Sequence, residues 1–441
     1  MSTLVLNSVI RAIGFTQGAW RHSSSRADGA LDLDFYRSYA EISERGLFDG
    51  LFIANTPALH DNEWSYLFSP LEPVALLSAL APLTTHIKLI ATVSSSFTHP
   101  YNIARQIATV DHLSSGRAGV NIVTTGSESA GQNFGFDELP PHADRYERAD
   151  EYIEVLLKLW DSWAPDAIVL DKIAGVQVRP NAVSAIDHRG RHFSVRGPLD
   201  TPRSPQDRPL LYQSGSSDAG RRLAAKYADA VYTVQQEIDQ SREFRRSLHE
   251  LQARFGTPRP PVKVLPGLIP IIGRTQREAE DLHEEISALN PPERGIASLE
   301  QRLSVDLRGA ALDDPFPIER LPALSEVEGS ISSHEAIRRF VSGPDVTHRG
   351  VTLRQVLRIT DSGNSHLRVV GTAEHVADRI EEWFVSGAAD GFNINPAITP
   401  TGLTDFVDHV VPILQDRGIY RESYEDVDRS LSNVTDRVRN S

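Results

Sequence analysis

The sequence predicts an α/β protein, a (β/α)8 TIM barrel with long insertions. Three observations carry this. Short apolar runs alternate with amphipathic stretches from end to end, and the count of such runs is eight. Strictly alternating strand and helix patterns call for parallel crossovers rather than hairpins. A doubly wound sheet is the rival, but eight such regular units in one chain suit a closed barrel better. Finally, no repeat or low-complexity tract divides the 441 residues. We therefore read residues 1–441 as a single barrel domain, since barrels routinely exceed the usual domain length.

The elements follow in order. Strands are read at residues 4–15, 48–54, 87–93, 120–124, 210–213, 230–234, 262–272 and 391–395. Helical spacing is read at 34–45, 72–83, 102–113, 145–163, 219–227, 276–289, 373–384 and 403–415. Two stretches break the rhythm and are read as insertions. Residues 172–207 are rich in Pro, Gly, Arg and His, and residues 290–363 are long and polar. Long insertions on barrels commonly serve as lids or contact surfaces.

Composition narrows the chemistry. The formal net charge of −14 repels phosphate backbones and anionic membranes, which argues against nucleic-acid and membrane partners. The chain has no cysteine, so disulfides, thiolate metal sites and a catalytic thiol are excluded, and no histidine cluster has metal-ligand spacing. Residues 1–6 lack a basic, cleavable leader pattern, and a cytoplasmic location is the expectation.

In a barrel of this kind the working residues stand at the carboxyl ends of the strands. Those positions hold Asn55, Thr92, Asn121 with Thr124 and Thr125, the run Gln213 to Ser217, and Asn393 with Asn395. The set is polar and almost uncharged. It lacks the facing carboxylates of a glycosidase and suits a bulky polar cofactor that brings its own chemistry. The turn Gln213-Ser-Gly-Ser-Ser-Asp-Ala-Gly220 follows a strand and opens a helix. Its amides and hydroxyls can cradle a phosphate, or its serine can simply cap the helix. His142 and Tyr146 lie four apart and share a helix face, either toward a ligand or in packing. His99 follows the third strand and lies near the barrel mouth.

At these residues the chain resembles the nitrilotriacetate and dibenzothiophene-sulfone monooxygenases, a branch of the bacterial-luciferase-like flavin monooxygenases. Matching runs include Ala19-Trp-Arg-His22, Glu44-Arg-Gly-Leu-Phe-Asp49, Pro100-Tyr-Asn-Ile-Ala-Arg105, Leu113-Ser-Ser-Gly-Arg117, Asn121-Ile-Val-Thr124, Leu159-Trp-Asp-Ser-Trp163 and Arg196-Gly-Pro-Leu199. They occur in family order up to about residue 420.

The resemblance implies a two-component oxygenase that uses O2 and FMN as FMNH2, without metal. The reduced flavin would come from a separate NAD(P)H:flavin reductase, since the chain has no strand-linked Gly-x-Gly-x-x-Gly motif of its own. It places Asn55 and Thr92 at the flavin ring and Asn121 beneath it. His142, Tyr146, Ser216 and Ser217 take the phosphate end. Phe15, Trp20, Phe97 and His99 are read as lining the substrate pocket, and their mixed aromatic character points to an apolar or sulfur-containing molecule. The family's substrates make a small organosulfur or amine-containing compound the expectation. A homo-oligomer, dimer or tetramer, is implied as well. The chain departs from the family at Asn55, where an aspartate is usual, and at Val120, where a tryptophan is usual. The alternative is a luciferase-like flavin- or F420-binding oxidoreductase, or binding protein, without oxygenase activity.

Overall fold

The computed structural model describes residues 3–59, 67–215, 217–256, 259–323, 337–338, 340–341, 350–360 and 366–425. Eight parallel strands close into a ring: β1 (Val5–Ile10), β2 (Gly50–Ile53), β3 (Lys88–Ser94), β4 (Ala118–Val123), β5 (Leu210–Ser214), β6 (Ala230–Thr233), β7 (Lys263–Ile272) and, after an outlying β8 (Leu367–Gly371), β9 (Gly391–Ile394). The β6–β7 and β1–β9 pairings complete the circle. β8 pairs only with the second half of β7, from Leu268↔Leu367 to Ile272↔Gly371, and stands outside the ring.

The strand sequences explain the closure. Nearly every strand residue is buried, as a parallel sheet covered on both faces requires. Alternation then sorts the side chains. Val5, Val9, Phe52, Ile90, Tyr212, Tyr232, Leu265 and Ile269 fill the interior. Leu4, Leu6, Leu51, Ile53, Leu89 and Ala91 face outward and pack with the helices. Those include α1 (Leu33–Arg45), α2 (Pro73–Leu80), α3 (Pro100–Leu113) and α4 (His142–Trp160). α5 (Asp218–Tyr227), α6 (Ile238–Phe255) and α7 (Gln276–Ala288) follow the later strands.

Both insertions have structure of their own. The first begins earlier than residue 172, with an exposed hairpin, Ile168–Asp171 with Val176–Val178, and carries a short one, His188–Arg189 with Ser194–Val195. Glu151 of α4 anchors the second hairpin, accepting from His188 Nε2 at 3.0 Å, His192 N at 2.9 Å and Phe193 N at 2.9 Å. In the second insertion α8 (Pro292–Leu303) and α9 (Leu353–Thr360) enclose a separate apolar cluster with Leu307, Phe316 and Val351.

The eight expected strands are the eight of the ring. α6 and β8 are among the elements that went unread in the sequence. α6 is strongly polar and buries few apolar side chains, and β8 is mostly half-buried. The first strand stops at Ile10 rather than residue 15, because the chain then turns through Gly14 at φ 80°. Among the described residues no helix is long and apolar enough to cross a membrane.

Candidate functional site at the barrel mouth

The carboxyl ends of β3, β4 and β5 carry a connected row of polar side chains. Ser214 Oγ donates to Asn121 Oδ1 at 3.0 Å, and Asn121 Nδ2 donates to Thr92 Oγ1 at 3.2 Å. Thr125 Oγ1 extends the row by donating to Ser94 Oγ at 2.8 Å. Asn121 and Thr92 are buried, so their mutual bonds fix their orientation instead of leaving them to water. Asn55, at the end of β2, is tied elsewhere, its Nδ2 donating to Ser69 O at 3.1 Å in the loop before α2.

The glycine turn follows β5. Gly215 has φ 133°, a conformation that only glycine adopts without strain. Ser217 caps α5, its Oγ accepting from Gly220 N at 3.2 Å. Ser216 lies outside the described residues. From the first turns of α4 the Tyr146 hydroxyl reaches across to this turn. It lies 3.2 Å from the point where a β-carbon on Gly220 would sit and 3.6 Å from the equivalent point on Gly215. Gln213 Oε1 is buried beside them without a hydrogen-bond partner. His142 packs on Tyr146 with ring centroids 4.7 Å apart. Desolvation there, and the Arg145 charge, hold its imidazole below the ordinary histidine range.

The strand ends across the barrel carry other groups. Arg11, just past β1, has its guanidinium carbon 4.1 Å from the Phe15 ring centroid and 3.6 Å from that of Phe68. Tyr232 of β6 donates its hydroxyl hydrogen to Asn395 Oδ1 at 2.9 Å and stacks on His366, whose Nε2 is 3.2 Å from the tyrosine oxygen. Deeper in the barrel Asn7 Nδ2 donates to Asn393 Oδ1 at 3.0 Å.

The structure thus brings Thr92 together with Asn121, and His142 with Tyr146 and Ser217. The other expected pocket residues are spread. Phe15 is buried against Phe68 and Arg11. Phe97 stacks on Phe134 at 4.8 Å. His99 caps α3, its Nδ1 accepting from Tyr101 N at 3.2 Å, and meets Phe193 edge-on. Trp20 stands 38 % exposed on a 3-10 turn. Sequence reading missed Arg11, Tyr232 and His366. A charge at the end of an otherwise apolar strand run was the available signal for Arg11. A separate hollow lined by Pro270, Leu282, Ile286, Ala397 and Asp405 shares no lining residue with the mouth groups. Among the described residues no cluster of three or more His, Asp or Glu could hold a metal.

Comparison with known proteins settles the family. The luciferase-like monooxygenase family model matches residues 12–390. The chain belongs to that family. It is 38 % identical over 422 residues to the N-acetyl-S-(2-succino)cysteine monooxygenase of Bacillus subtilis (strain 168), covering 95 % of this chain and 94 % of that one. Nitrilotriacetate monooxygenase component A of Aminobacter aminovorans is 37 % identical, with the same coverage. Among solved structures, the EDTA monooxygenase from Chelativorans sp. BNC1 superposes with a TM-score of 0.78 at 33 % identity, over 97 % of both chains. The luciferase-like barrel expected from the sequence is therefore the fold, and the chain is a flavin-dependent monooxygenase.

Proposed function

We propose that this luciferase-like chain is the oxygenase component of a two-component system. It binds FMNH2 supplied by a separate NAD(P)H:flavin reductase and uses O2 to oxygenate a small organic substrate in the cytoplasm, as a homo-oligomer. One observation carries the cofactor reading. The Tyr146 hydroxyl converges on a glycine turn at a helix amino end. Backbone amides there, with the partial positive charge of α5, suit a phosphate dianion. Ser217, Tyr146 and His142 hold that end, and Ser216, next to Ser217 in the sequence, is assigned to it as well. Thr92 and Asn121, prealigned by their mutual bond, meet the ring, and Asn55 borders it. The flavin supplies the activation of O2. The protein's own residues bind and orient it and exclude water from the mouth. Phe15, Phe97, Trp20 and His99 bound the substrate side.

The test is oxygen consumption by the purified chain with FMN, NADH and an added flavin reductase, against a panel that includes nitrilotriacetate and N-acetyl-S-(2-succino)cysteine. Product formed in step with O2 supports the reading. O2 uptake that yields only H2O2 with every compound, or NADH oxidation by the chain alone, overturns it.

A further inference from the structure

Across the barrel from the glycine turn, one positive charge has no acid against it among the described residues. Arg11 follows β1, and β1 is four strands from β5 in either direction around the ring. Other enclosed arginines reach oxygen acceptors, although the Nε of Arg421, like that of Arg11, is buried without one. Arg117 gives its guanidinium hydrogens to Ser114 O, Ala81 O, Thr84 O, Thr84 Oγ1 and Ile87 O. Arg421 pairs with Asp49. Among the described residues no carboxylate pairs with Arg11, and its Nε, shut off from solvent, donates to nothing. The Phe15 and Phe68 rings attract the cation, but ring faces do not replace the oxygen acceptors that its fork of N–H donors demands.

Neighbouring polar groups have spare capacity of the same kind. Asn395 is fully buried, its Oδ1 is taken by Tyr232, and its Nδ2 has no acceptor. The Tyr232 hydrogen goes to Asn395, so His366 Nε2 carries the hydrogen toward the tyrosine oxygen and Nδ1 keeps a free lone pair. Burial and then the Arg11 charge hold that imidazole down to about 3, so it is neutral and does not compete as a second cation. Desolvation lowers Arg11 itself to about 9, which leaves it charged at neutral pH.

We propose that Arg11 and Asn395 Nδ2 form an anion subsite that receives a carboxylate of the substrate, while the apolar part of the molecule lies along Phe15 and Phe68. The word substrate here rests on the oxygenase reading above; the subsite rests on the unpaired donors. The guanidinium fork matches a carboxylate in two parallel bonds. A chain of net charge −14 repels anions in general, and a local cation is what admits one. The phosphate end of the flavin is a different anion, because its turn lies on the opposite side of the ring.

Calorimetric titration of the flavin-free full chain tests this directly, with succinate, nitrilotriacetate and N-acetyl-S-(2-succino)cysteine, each also as its methyl ester. At least one acid is expected to bind, its ester at least tenfold more weakly. Arg11→Met is expected to weaken the acid at least tenfold and leave the ester unchanged, and Arg11→Lys to retain part of the preference. Asn395→Asp, which places a carboxylate in the subsite, is expected to block the acid and provides a second variant. The melting temperature of Arg11→Met is expected not to fall, since an unpaired charge is being replaced by a side chain of similar length. No binding by any acid, equal binding of acid and ester, or wild-type binding by Arg11→Met overturns the proposal. Anaerobic titration with FMNH2 separates the two readings: if FMNH2 fails to bind while the acid preference and its loss in Arg11→Met persist, the flavin reading falls and the subsite stands.

Discussion

The Tyr146 hydroxyl and the Ser217 hydroxyl border the same turn but do different things there. Ser217 Oγ already accepts from Gly220 N, so it is a helix cap whose hydrogen is still free to donate. Tyr146 faces the two glycines without a comparable backbone bond among those described. Hydrogen bonds to a charged group are worth about 1.5–3 kcal/mol. Tyr146→Phe and Ser217→Ala should therefore each weaken FMNH2 binding by roughly tenfold or more. Riboflavin, which lacks the phosphate, should be indifferent to Tyr146→Phe. Only Ser217→Ala should also lower the melting temperature, by the loss of its cap. Equal losses for riboflavin and FMNH2 would make both residues structural. A second residue-scale effect concerns His366. Its folded pKa lies near 3, below the ordinary histidine value, because burial and Arg11 disfavour the charged ring. A depressed histidine pKa gives stability that is complete above the unfolded value and lost as pH falls beneath it. By pH 5.5 this amounts to about 1 kcal/mol from this one group. Urea midpoints at pH 7.5 and 5.5 should show that extra loss in the wild type and lack it in His366→Asn. An identical pH dependence in the two proteins would mean the ring is not desolvated in solution.

Elements differ in how plainly the chain announces them. The ring strands are legible because each is a short apolar run followed by a helix pattern. The Gln213–Gly220 turn is legible because glycine and serine punctuate a strand–helix junction. The pairing of Tyr146 with that turn was only half legible, since the helical spacing placed His142 and Tyr146 on one face without saying what the face meets. Arg11 was legible only as a charge that ends an apolar run, not as a site. Its neighbours Phe68, Tyr232, His366 and Asn395 come from four distant segments, and only the closed ring brings them together. The insertion at 172–207 was legible as irregular but not as anchored, and the anchor of its short hairpin is a carboxylate on a helix. Glu151 accepts three hydrogen bonds from that segment, which outweigh its desolvation and hold its carboxyl below the usual range. Glu151→Ala should unpin the short hairpin and cost about 2–4 kcal/mol, several charge-assisted bonds partly offset by the relief of burying a charge. Hydrogen exchange should localise the loosening to residues 186–196. A uniform loss of protection across the barrel would instead mean that the excursion is part of the global folding unit.

At the scale of the whole molecule the barrel depends on one seam. The ring closes where β1 meets β9, in register from Val5↔Gly391 to Ser8↔Ile394. A β-carbon added to Gly391 would lie 1.9 Å from the Val5 carbonyl oxygen, with the Val5 backbone carbon and nitrogen at 2.6 and 2.7 Å. All three are main-chain atoms of the neighbouring strand, so no side-chain rotation relieves the clash. In an open sheet the last strand could shift outward. In a closed ring each strand is held from both sides, and moving β9 disturbs its pairing with β7 as well. Gly391→Ala should therefore reach or exceed the upper end of the usual overpacking range, about 3 kcal/mol. Gly256→Ala is the control. That glycine also has a positive φ, 64°, but a β-carbon there meets nothing within 4 Å, so its cost is the backbone term alone, roughly 1 kcal/mol. Urea denaturation followed by far-ultraviolet circular dichroism and by tryptophan fluorescence should place Gly391→Ala well below Gly256→Ala, with both probes shifting together because the ring opens as one unit. If Gly391→Ala costs no more than the control, the seam is not the constraint that closes this barrel.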